Sequence, residues 1–274
     1  KINMSKVNSI GSHAFHSCGI ASITLPDGIT EIGEGAFSYC KKLKSIVIPS
    51  SVTEISENCF YQCENLASVT IPSSVISIGS DAFAYTALTS IKLPKVQTIE
   101  SNAFSNCGQL RSISFGEELT DIKSWAFSTC PALTEINLPS TLMILESDVF
   151  SSCSNIKKVN CHAVVPPFHN NGFMLNGCDM TNVKLYVPAM SIDTYRASEG
   201  WKNFYTILPQ TDKVKDLYIY DEVTVSDASS IASDCSLKMD WVMQRIQSSS
   251  YYSTTIYKIG SLDYTGGSEF KMYE

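Results

Sequence analysis

Hydrophobic and polar residues follow one another along this chain in an order that repeats with a period of about 23 residues. Segment 43–55 reads Leu-Lys-Ser-Ile-Val-Ile-Pro-Ser-Ser-Val-Thr-Glu-Ile, and segments 66–78 and 133–145 keep the same order of apolar and polar positions. In each case a phenylalanine follows five residues after the last aliphatic residue. A fixed period of this length is the signature of a solenoid, in which each repeat forms one coil.

The phenylalanines define the phase of the repeat over most of the chain. They follow one another at sequence intervals of 22, 23, 23, 21, 23 and 23, as Phe15, Phe37, Phe60, Phe83, Phe104, Phe127 and Phe150. A cysteine follows three residues after each of them, except that Thr86 takes this position after Phe83. The shorter intervals arise from single-residue deletions in short connections, where chain length is tolerant.

The pattern predicts the elements of one coil. Ile46 and Ile48 follow a period of two, as in a strand with one buried face, and Pro49 ends the strand because it has no N–H to donate. Residues 36–40 are expected to form one turn of α-helix or 3₁₀-helix. One coil cannot bury its apolar face alone, so the coils must stack, and the stacked strands are expected to form one long parallel sheet.

The pattern loosens after His162. Phe173 follows Phe150 at the same interval as Phe150 follows Phe127, which predicts an eighth, irregular coil with its strand at 183–188.

A capping element is expected next, because an uncovered terminal coil would expose its apolar edge. Ser191 is predicted as the N-cap of a short helix at about 191–199, and Gly200 follows its end. Trp201 and Phe204 are expected to pack beneath this helix.

Residues 211–274 do not repeat. Their pattern predicts strands at 214–225, 251–259 and 270–273 and a helix at 227–247, which together would make a small α+β module. The expected domains are therefore 1–188, the repeat array; 189–210, its helical cap; and 211–274, the non-repeat module.

Two motifs resemble a known family. Ile-Gly-x-x-Ala-Phe occurs at 32–37 and 78–83, and Ile-Pro-Ser-Ser-Val occurs at 48–52 and 71–75. With the cysteine that follows each phenylalanine, they resemble the BspA-like leucine-rich repeats, over about residues 5–209. That family occurs in surface proteins of anaerobic bacteria and some protozoan parasites.

The resemblance implies the fold and a broad role. The expected fold is an α/β-type solenoid, a leucine-rich repeat array of about seven to eight 23-residue coils with a parallel β-sheet. In the family, a strand ending Tyr-Val-Pro and a helix with a tyrosine and a Gly-Trp close the array, and 186–188, Tyr195 and Gly200-Trp201 match this. The implied role is non-catalytic binding or adhesion at the cell surface or in a secreted protein.

Composition excludes some partners. The net charge is −7 with 17% charged residues and no basic run, which argues against nucleic acid or an anionic membrane as partner. No apolar run approaches the length of a membrane span. No signal or anchor segment is visible, and because the chain begins partway into a repeat, it is expected to be a mature or shortened form.

The ten cysteines are expected to be mainly structural. Six of them share one repeat position, which predicts a ladder of buried free thiols that pack as small apolar groups. Disulfides between neighbouring coils are the alternative, which the Cα spacing of stacked coils would not forbid.

No known catalytic motif occurs in the sequence, and no cofactor is predicted. His13 and His16 are three residues apart, which is compatible with a metal-binding pair or with two ordinary surface histidines. Zinc ligands could also be drawn from Cys161, His162, His169 and Cys178, but their spacing matches no usual zinc pattern.

The outward positions of the strands are the candidate binding surface. They carry mainly small hydroxyl residues in the first coils and larger polar residues in the last ones. The candidate partner-binding residues on this concave face are Glu135, Asn137, Lys158, Asn160, Lys184 and Tyr186. The expected ligand is a protein or a glycan. Two alternatives stay open: a face that is merely solvated, and a structural spacer that displays residues 211–274.

Overall fold

A computed structural model describes Met4, residues 6–169 and residues 172–210, together with the backbone of four short strands nearer the C-terminus. The chain divides into two compact units, residues 1–210 and 211–274. The first unit is a parallel β-solenoid of about 9 turns with few helices, which confirms the predicted repeat array.

One side of the solenoid is a column of parallel strands. Each strand begins at the polar residue before the central aliphatic of its repeat. The strands are β3 (Ser45–Val47), β5 (Ser68–Thr70), β7 (Ser90–Leu93), β9 (Ser112–Phe115), β11 (Glu135–Leu138), β13 (Lys158–Cys161), β14 (Lys184–Val187) and β15 (Thr206–Pro209).

This column is not one continuous hydrogen-bonded sheet, contrary to the prediction. Strands pair as β3-β5, β7-β9 and β11-β13-β14-β15, and the groups lie side by side in the same column. The first break coincides with the coil that lacks one residue between Phe83 and Leu88. The continuous four-stranded group therefore lies at the C-terminal end of the column.

A second side is a column of two-residue strands, each of which ends in a buried aliphatic residue. They are β1 (Ser9–Ile10), β2 (Glu31–Ile32), β4 (Glu54–Ile55), β6 (Ser77–Ile78), β8 (Thr98–Ile99), β10 (Asp121–Ile122) and β12 (Ile144–Leu145). β1 pairs with β2, and the other five strands of this column, β4, β6, β8, β10 and β12, form one parallel sheet.

The third side, which we call the turn column, contains the phenylalanines. The residues around each phenylalanine form consecutive hydrogen-bonded turns rather than the predicted turn of helix. Around Phe60, backbone N–H groups donate alternately to the carbonyl three residues earlier, at 3.1 to 3.2 Å, and to the next coil, at 2.8 to 2.9 Å. The helical prediction was wrong because this alternation requires left-handed backbone at every fourth residue.

In the seven coils from Phe15 to Phe150, the left-handed residues occupy the same two positions, two residues before and two residues after the phenylalanine. Their φ values lie between 54° and 60°. They are His13, Ser17, Gly35, Tyr39, Asn58, Gln62, Asp81, Tyr85, Asn102, Asn106, Trp125, Thr129, Asp148 and Ser152.

Stacked phenylalanine rings form the centre of the core. From Phe15 to Phe150, neighbouring ring centroids are 5.0 to 5.5 Å apart and the ring planes differ by 13° or less. Phe15 is partly buried and the six that follow are fully buried. Aliphatic residues of the two strand columns pack around these rings.

The cysteine ladder is present, and its thiols do more than fill space. Each thiol donates to the backbone carbonyl of the phenylalanine one coil earlier, with sulfur–oxygen distances of 3.0 to 3.6 Å. The donors are Cys40, Cys63, Cys107, Cys130, Cys153 and Cys178. The nine described cysteines are all free thiols.

Hydroxyl residues of the Pro-Ser-Ser and Pro-Ser-Thr corners connect the coils. Ser51 donates its hydroxyl to the carbonyl of Ile29 at 2.7 Å, and Ser74 donates to the carbonyl of Val52 at 2.7 Å. Because these carbonyls lie at corners outside the strand pairing, the hydroxyl satisfies an acceptor that would otherwise depend on water.

The last coil has a different register from the predicted one. Phe150 donates its N–H to the carbonyl of Met174, so Leu175 occupies the ladder position expected for Phe173. Leu175 is fully buried, whereas Phe173 is half-buried and packs edge-to-face on Phe204 at 5.7 Å. The coil is therefore two residues longer than the usual period. The sequence did not indicate this, because Phe173 lies at the position that the usual period predicts.

The cap contains helix α1 (Ile192–Ala197) and 3₁₀-helices at Ala189–Ser191 and Trp201–Asn203, and another 3₁₀-helix, Met180–Asn182, precedes β14. Trp201 and Phe204 are buried, as predicted, and Tyr195 of α1 packs edge-to-face on Trp201 at 5.0 Å. Ser191 precedes α1, but its hydroxyl makes no capping bond and donates to the carbonyl of Val164 at 2.7 Å. The hydroxyl therefore ties the cap to the preceding coil instead.

The second unit is described by itself through four strands. β16 (Val223–Val225), β17 (Tyr257–Ile259), β18 (Leu262–Tyr264) and β19 (Phe270–Met272) form an antiparallel sheet in the order β16-β19-β18-β17. The predicted helix at 227–247 lies outside the described residues. Over the part of the chain that the structure describes, no helix has the length and apolar character of a membrane span.

Candidate functional site

The pairing of β11, β13 and β14 places the predicted site residues in two adjacent rows. Glu135, Lys158 and Lys184 pair across the three strands and make one row. Asn137, Asn160 and Tyr186, two residues further along, make the other. The structure therefore brings all six together on one patch, which we call the C-terminal sheet face.

A hydrogen-bond network holds the centre of this patch. The amide Nδ2 of Asn160 donates to Glu135 Oε1 at 2.8 Å and to Asn137 Oδ1 at 2.6 Å. Asn160 is only 8% exposed, so the expectation that it lies on an open surface was wrong. Its amide is enclosed because the side chains of Glu135 and Asn137 both turn toward it.

The charged residues of the patch are arranged around Glu135. Lys158 Nζ lies 3.2 Å from Glu135 Oε1 and 5.2 Å from the centre of the Tyr186 ring. An ion pair with this much exposure contributes little stability, within about 1 kcal/mol. The ammonium–ring contact adds a comparable amount at an exposed site. These contacts hold the ammonium group of Lys158 and the ring of Tyr186 in defined positions on the patch.

Lys184 carries the second ammonium group of the patch. It is exposed, pairs in register with Lys158, and forms no ion pair with any of the residues the structure describes. The carboxylate of Glu135, in the same row, is already shared by Lys158 and Asn160. The patch therefore presents one ordered cation and one unpaired cation beside a tyrosine ring.

Strand β15 extends the patch, and sequence reasoning missed it. Thr206 pairs with Lys184 and Leu208 pairs with Tyr186, so both rows continue by one strand. Gln210 then donates its amide to the carbonyls of Cys161 at 3.0 Å and of Tyr186 at 3.3 Å. A signal was available, because Ile-Leu-Pro at 207–209 repeats the Ile-Pro and Leu-Pro strand ends of earlier coils.

The other candidate groups are dispersed or occupied. Cys161 is buried and accepts a hydrogen bond from the Tyr195 hydroxyl at 3.2 Å, while Cys178 belongs to the thiol ladder. Burial, partly offset by hydrogen bonding to Tyr195, raises the pKa of Cys161 to about 11. Among the residues described, no group of three or more His, Cys, Asp or Glu side chains could hold a metal ion.

Comparison with known proteins agrees with this architecture. A family model described as "BspA type Leucine rich repeat region" matches residues 1–95 and 77–196, in 6 copies. No curated protein matches the sequence.

Solved structures with the same kind of repeat are similar to this chain. A leucine-rich repeat protein of T. pallidum is 27% identical, covers 55% of this chain and 72% of its own, and has a TM-score of 0.52. A leucine-rich cell surface protein of Faecalibacterium prausnitzii is 21% identical, with coverages of 77% and 72% and a TM-score of 0.36. The pneumococcal vaccine antigen PcpA is 19% identical, with coverages of 76% and 72% and a TM-score of 0.33.

Proposed function

Because this chain belongs to the BspA-type leucine-rich repeat family, we propose that it is a non-catalytic binding module of a cell-surface or secreted protein. The proposed contact surface is the C-terminal sheet face, and the proposed partner is a protein or a glycan. Family membership supports the general role of a binding module. The choice of surface rests on the side chains of β11 to β15.

The observation that carries the proposal is the pre-formed network around Asn160. Binding loses less free energy when the contacting side chains are already ordered. Here Asn160 orients Glu135 and Asn137, and Glu135 and the Tyr186 ring orient Lys158. Tyrosine is also one of the residue types that dominate binding energy at interfaces. A partner with an acidic group near an apolar or aromatic one would match Lys184 and Tyr186.

The test compares the unmodified protein with the triple variant Asn137→Ala, Lys158→Ala, Tyr186→Ala. Ligands are first found on glycan and host-protein arrays, and affinity is then measured by surface plasmon resonance. The triple variant should lose at least tenfold in affinity, with Tyr186→Ala the largest single loss. A loss of about 1–3 kcal/mol in stability is expected, because Asn137→Ala removes one acceptor of the buried Asn160 amide. Thermal unfolding checks that the variant is still folded.

A matched control replaces three serines of the same strand column, Ser45, Ser68 and Ser90, with alanine. All three are exposed, and their side chains are small. This variant should bind as the unmodified protein does. If it abolishes binding while the triple variant does not, the contact surface lies at the other end of the column and the proposal is wrong.

A second role is favoured by the division of the chain into two compact units. On this alternative the array is a spacer that displays residues 211–274. Deletion of 211–274 separates the two roles, because a binding array keeps its ligand without that unit and a spacer loses it.

A further inference from the structure

Five aromatic rings form a row on the outside of the turn column, across the first four coils. The row, which we call the aromatic ladder, consists of His13, His16, Tyr39, Tyr61 and Tyr85. Successive ring centroids are 5.7, 5.3, 5.5 and 5.8 Å apart, and every pair meets edge-to-face. The ladder lies on a different side of the solenoid from the strand column that carries the C-terminal sheet face.

The ladder is accessible to solvent along its length. Both histidines are exposed, Tyr85 is 43% exposed, and Tyr39 and Tyr61 are half-buried. The rings are therefore neither core residues nor isolated surface aromatics. They form a continuous strip with an open side.

Three of these residues have a backbone conformation that aromatic residues rarely adopt. His13, Tyr39 and Tyr85 have φ values of 57°, 59° and 59°, in the left-handed region. A bulky residue there is a marked outlier, whereas asparagine and glycine adopt this conformation at least cost. The coil of Phe104 has Asn102 and Asn106 at the equivalent positions, whereas the next coil has Trp125 and Thr129. Aromatic residues at strained and open positions indicate that the rings serve recognition rather than stability.

We propose that the aromatic ladder binds a neutral, unbranched, β-linked glycan that runs along the stacking axis and stacks sugars on alternate rings. The C–H groups on the flat side of a pyranose ring are polarised by the adjacent oxygens. They are attracted to the negative face of an aromatic ring, as other positive groups are. Stacked coils advance by about 4.8 Å. An extended β-linked glycan advances by nearly the same distance per sugar. Because neighbouring ring planes differ by 64° to 83°, every second ring offers its face to every second sugar.

Carboxylates in the same turns define which glycans fit. Glu34, Glu57 and Asp81 each lie two or three positions before the core phenylalanine of their coil, and Glu34 and Glu57 are exposed. Carboxylates accept hydrogen bonds from sugar hydroxyls and repel anionic sugars. Burial and then the charge of Glu57 raise the pKa of Asp81. The ladder therefore favours uncharged over acidic glycans.

A proline-rich peptide is the other ligand that aromatic surfaces commonly bind. Such peptides place proline side chains into grooves lined by aromatic rings. In the ladder, however, neighbouring rings are in edge-to-face contact at 5.3 to 5.8 Å, which leaves no groove between them. A flat sugar lying across the ring row needs no such groove.

The test uses the full chain and a triple variant, Tyr39→Asn, Tyr61→Ser, Tyr85→Asn. Each new residue already occupies the equivalent position in another coil, as Asn106 and Ser105 do, so the fold should be retained. Cellohexaose, mannohexaose, xylohexaose and the corresponding disaccharides are titrated in a calorimeter. At least one hexasaccharide should bind, at least tenfold more tightly than its disaccharide, and the triple variant should lose at least tenfold in affinity.

Two controls separate this surface from the others. Tyr205→Ala removes a tyrosine that is 78% exposed but lies outside the ladder, and it should bind like the unmodified protein. The Asn137, Lys158 and Tyr186 triple-alanine variant should also keep glycan binding, so failure here and failure at the sheet face are distinguishable. Thermal unfolding checks that each variant is folded.

Three results would overturn the proposal. The first is that no neutral hexasaccharide binds the full chain. The second is that the ladder variant binds it unchanged. The third is that decaproline or hexagalacturonate binds the ladder, with loss in the same variant, in place of the neutral glycans.

Discussion

The thiol of the cysteine ladder shows how one residue type can satisfy two requirements. In several coils the carbonyl of the core phenylalanine accepts the N–H of the cysteine three residues later, as Phe37 does from Cys40 at 3.1 Å. The same carbonyl accepts the thiol of the next coil, as Phe37 does from Cys63 at 3.1 Å. A thiol is small, apolar and a weak donor, so it fills the core and still serves the second lone pair.

Buried thiols make the protein sensitive to alkaline pH. Burial raises the pKa of Cys63 to about 12 and, with partial offset from Thr86, that of Cys107 to about 11. The folded state keeps these protons while the unfolded chain releases them near pH 9, so their contribution is complete below pH 9 and lost between pH 9 and 12. Between pH 8 and pH 10 each of these two thiols should remove roughly 1 kcal/mol from the free energy of unfolding. Urea unfolding in a reducing buffer measures this loss.

The control for this prediction is Cys63→Ser. Its hydroxyl does not titrate, and the chain already tolerates a hydroxyl at Thr86 in the same ladder position. The variant should lose less stability than the unmodified protein over the same pH interval. Equal losses in the two proteins would show that the ladder thiols do not cause the sensitivity.

At the scale of the element, the repeat phase was predictable and the backbone path was not. The spacing of phenylalanine, cysteine and aliphatic residues identified the strands from Ser45 to Val187, because burial imposes a strict period on them. It did not reveal the left-handed turns, since residues as different as Gly35, Tyr39 and Thr129 occupy them. The spacing also gave the wrong register for the last coil. Phe173 and Leu175 are both apolar, and only the backbone hydrogen bonds show which of them occupies the ladder position.

In the candidate site, too, some features could be predicted from the sequence and others could not. Period-two alternation along β11, β13 and β14 was enough to place six residues on one face. The burial of Asn160 could not be predicted, because it depends on the rotamers of neighbours on another strand. Strand β15 was missed because its residues were assigned to the cap.

The phenylalanine ladder should be the most sensitive element of the fold. Phe104 is fully buried between Phe83 at 5.2 Å and Phe127 at 5.0 Å. Phe104→Ala should cost about 3–5 kcal/mol, as other buried phenylalanine truncations do. Phe168→Ala, at a residue that is 66% exposed, should cost under about 0.5 kcal/mol. Urea unfolding of both variants measures the difference, and a loss under about 1 kcal/mol for Phe104→Ala would contradict the stacking.

At the scale of the whole molecule, stability in the described array is local, because each coil contacts its neighbours and little else. The C-terminal end is covered by the cap, in which Trp201 is fully buried and donates its indole N–H to the carbonyl of Pro167 at 2.9 Å. A substitution that destabilises the cap is therefore expected to destabilise the adjacent coils most, and more distant coils progressively less.

Hydrogen exchange of the variant Trp201→Ala should reveal this gradient. Amides of β14 and β15 should lose most of their protection, those of β13 less, and those around Phe60 almost none. Lys202→Ala, a change at an exposed neighbour, should leave the pattern unaltered. A uniform loss of protection along residues 6–209 would show that the array unfolds as one unit, against this expectation.

The turn column has a consequence for how such a gene can change. Each coil donates from the same backbone positions to acceptors one period further along the chain, as Phe37 does to Cys59 and Phe60 does to Ala82. In-frame recombination that removes or duplicates one whole period joins donors to acceptors that already fit, so array length can vary between descendants without a new interface. A deletion of part of a period shifts every donor at the junction. Unequal crossing-over at matching positions is therefore the kind of mutation that this architecture tolerates best.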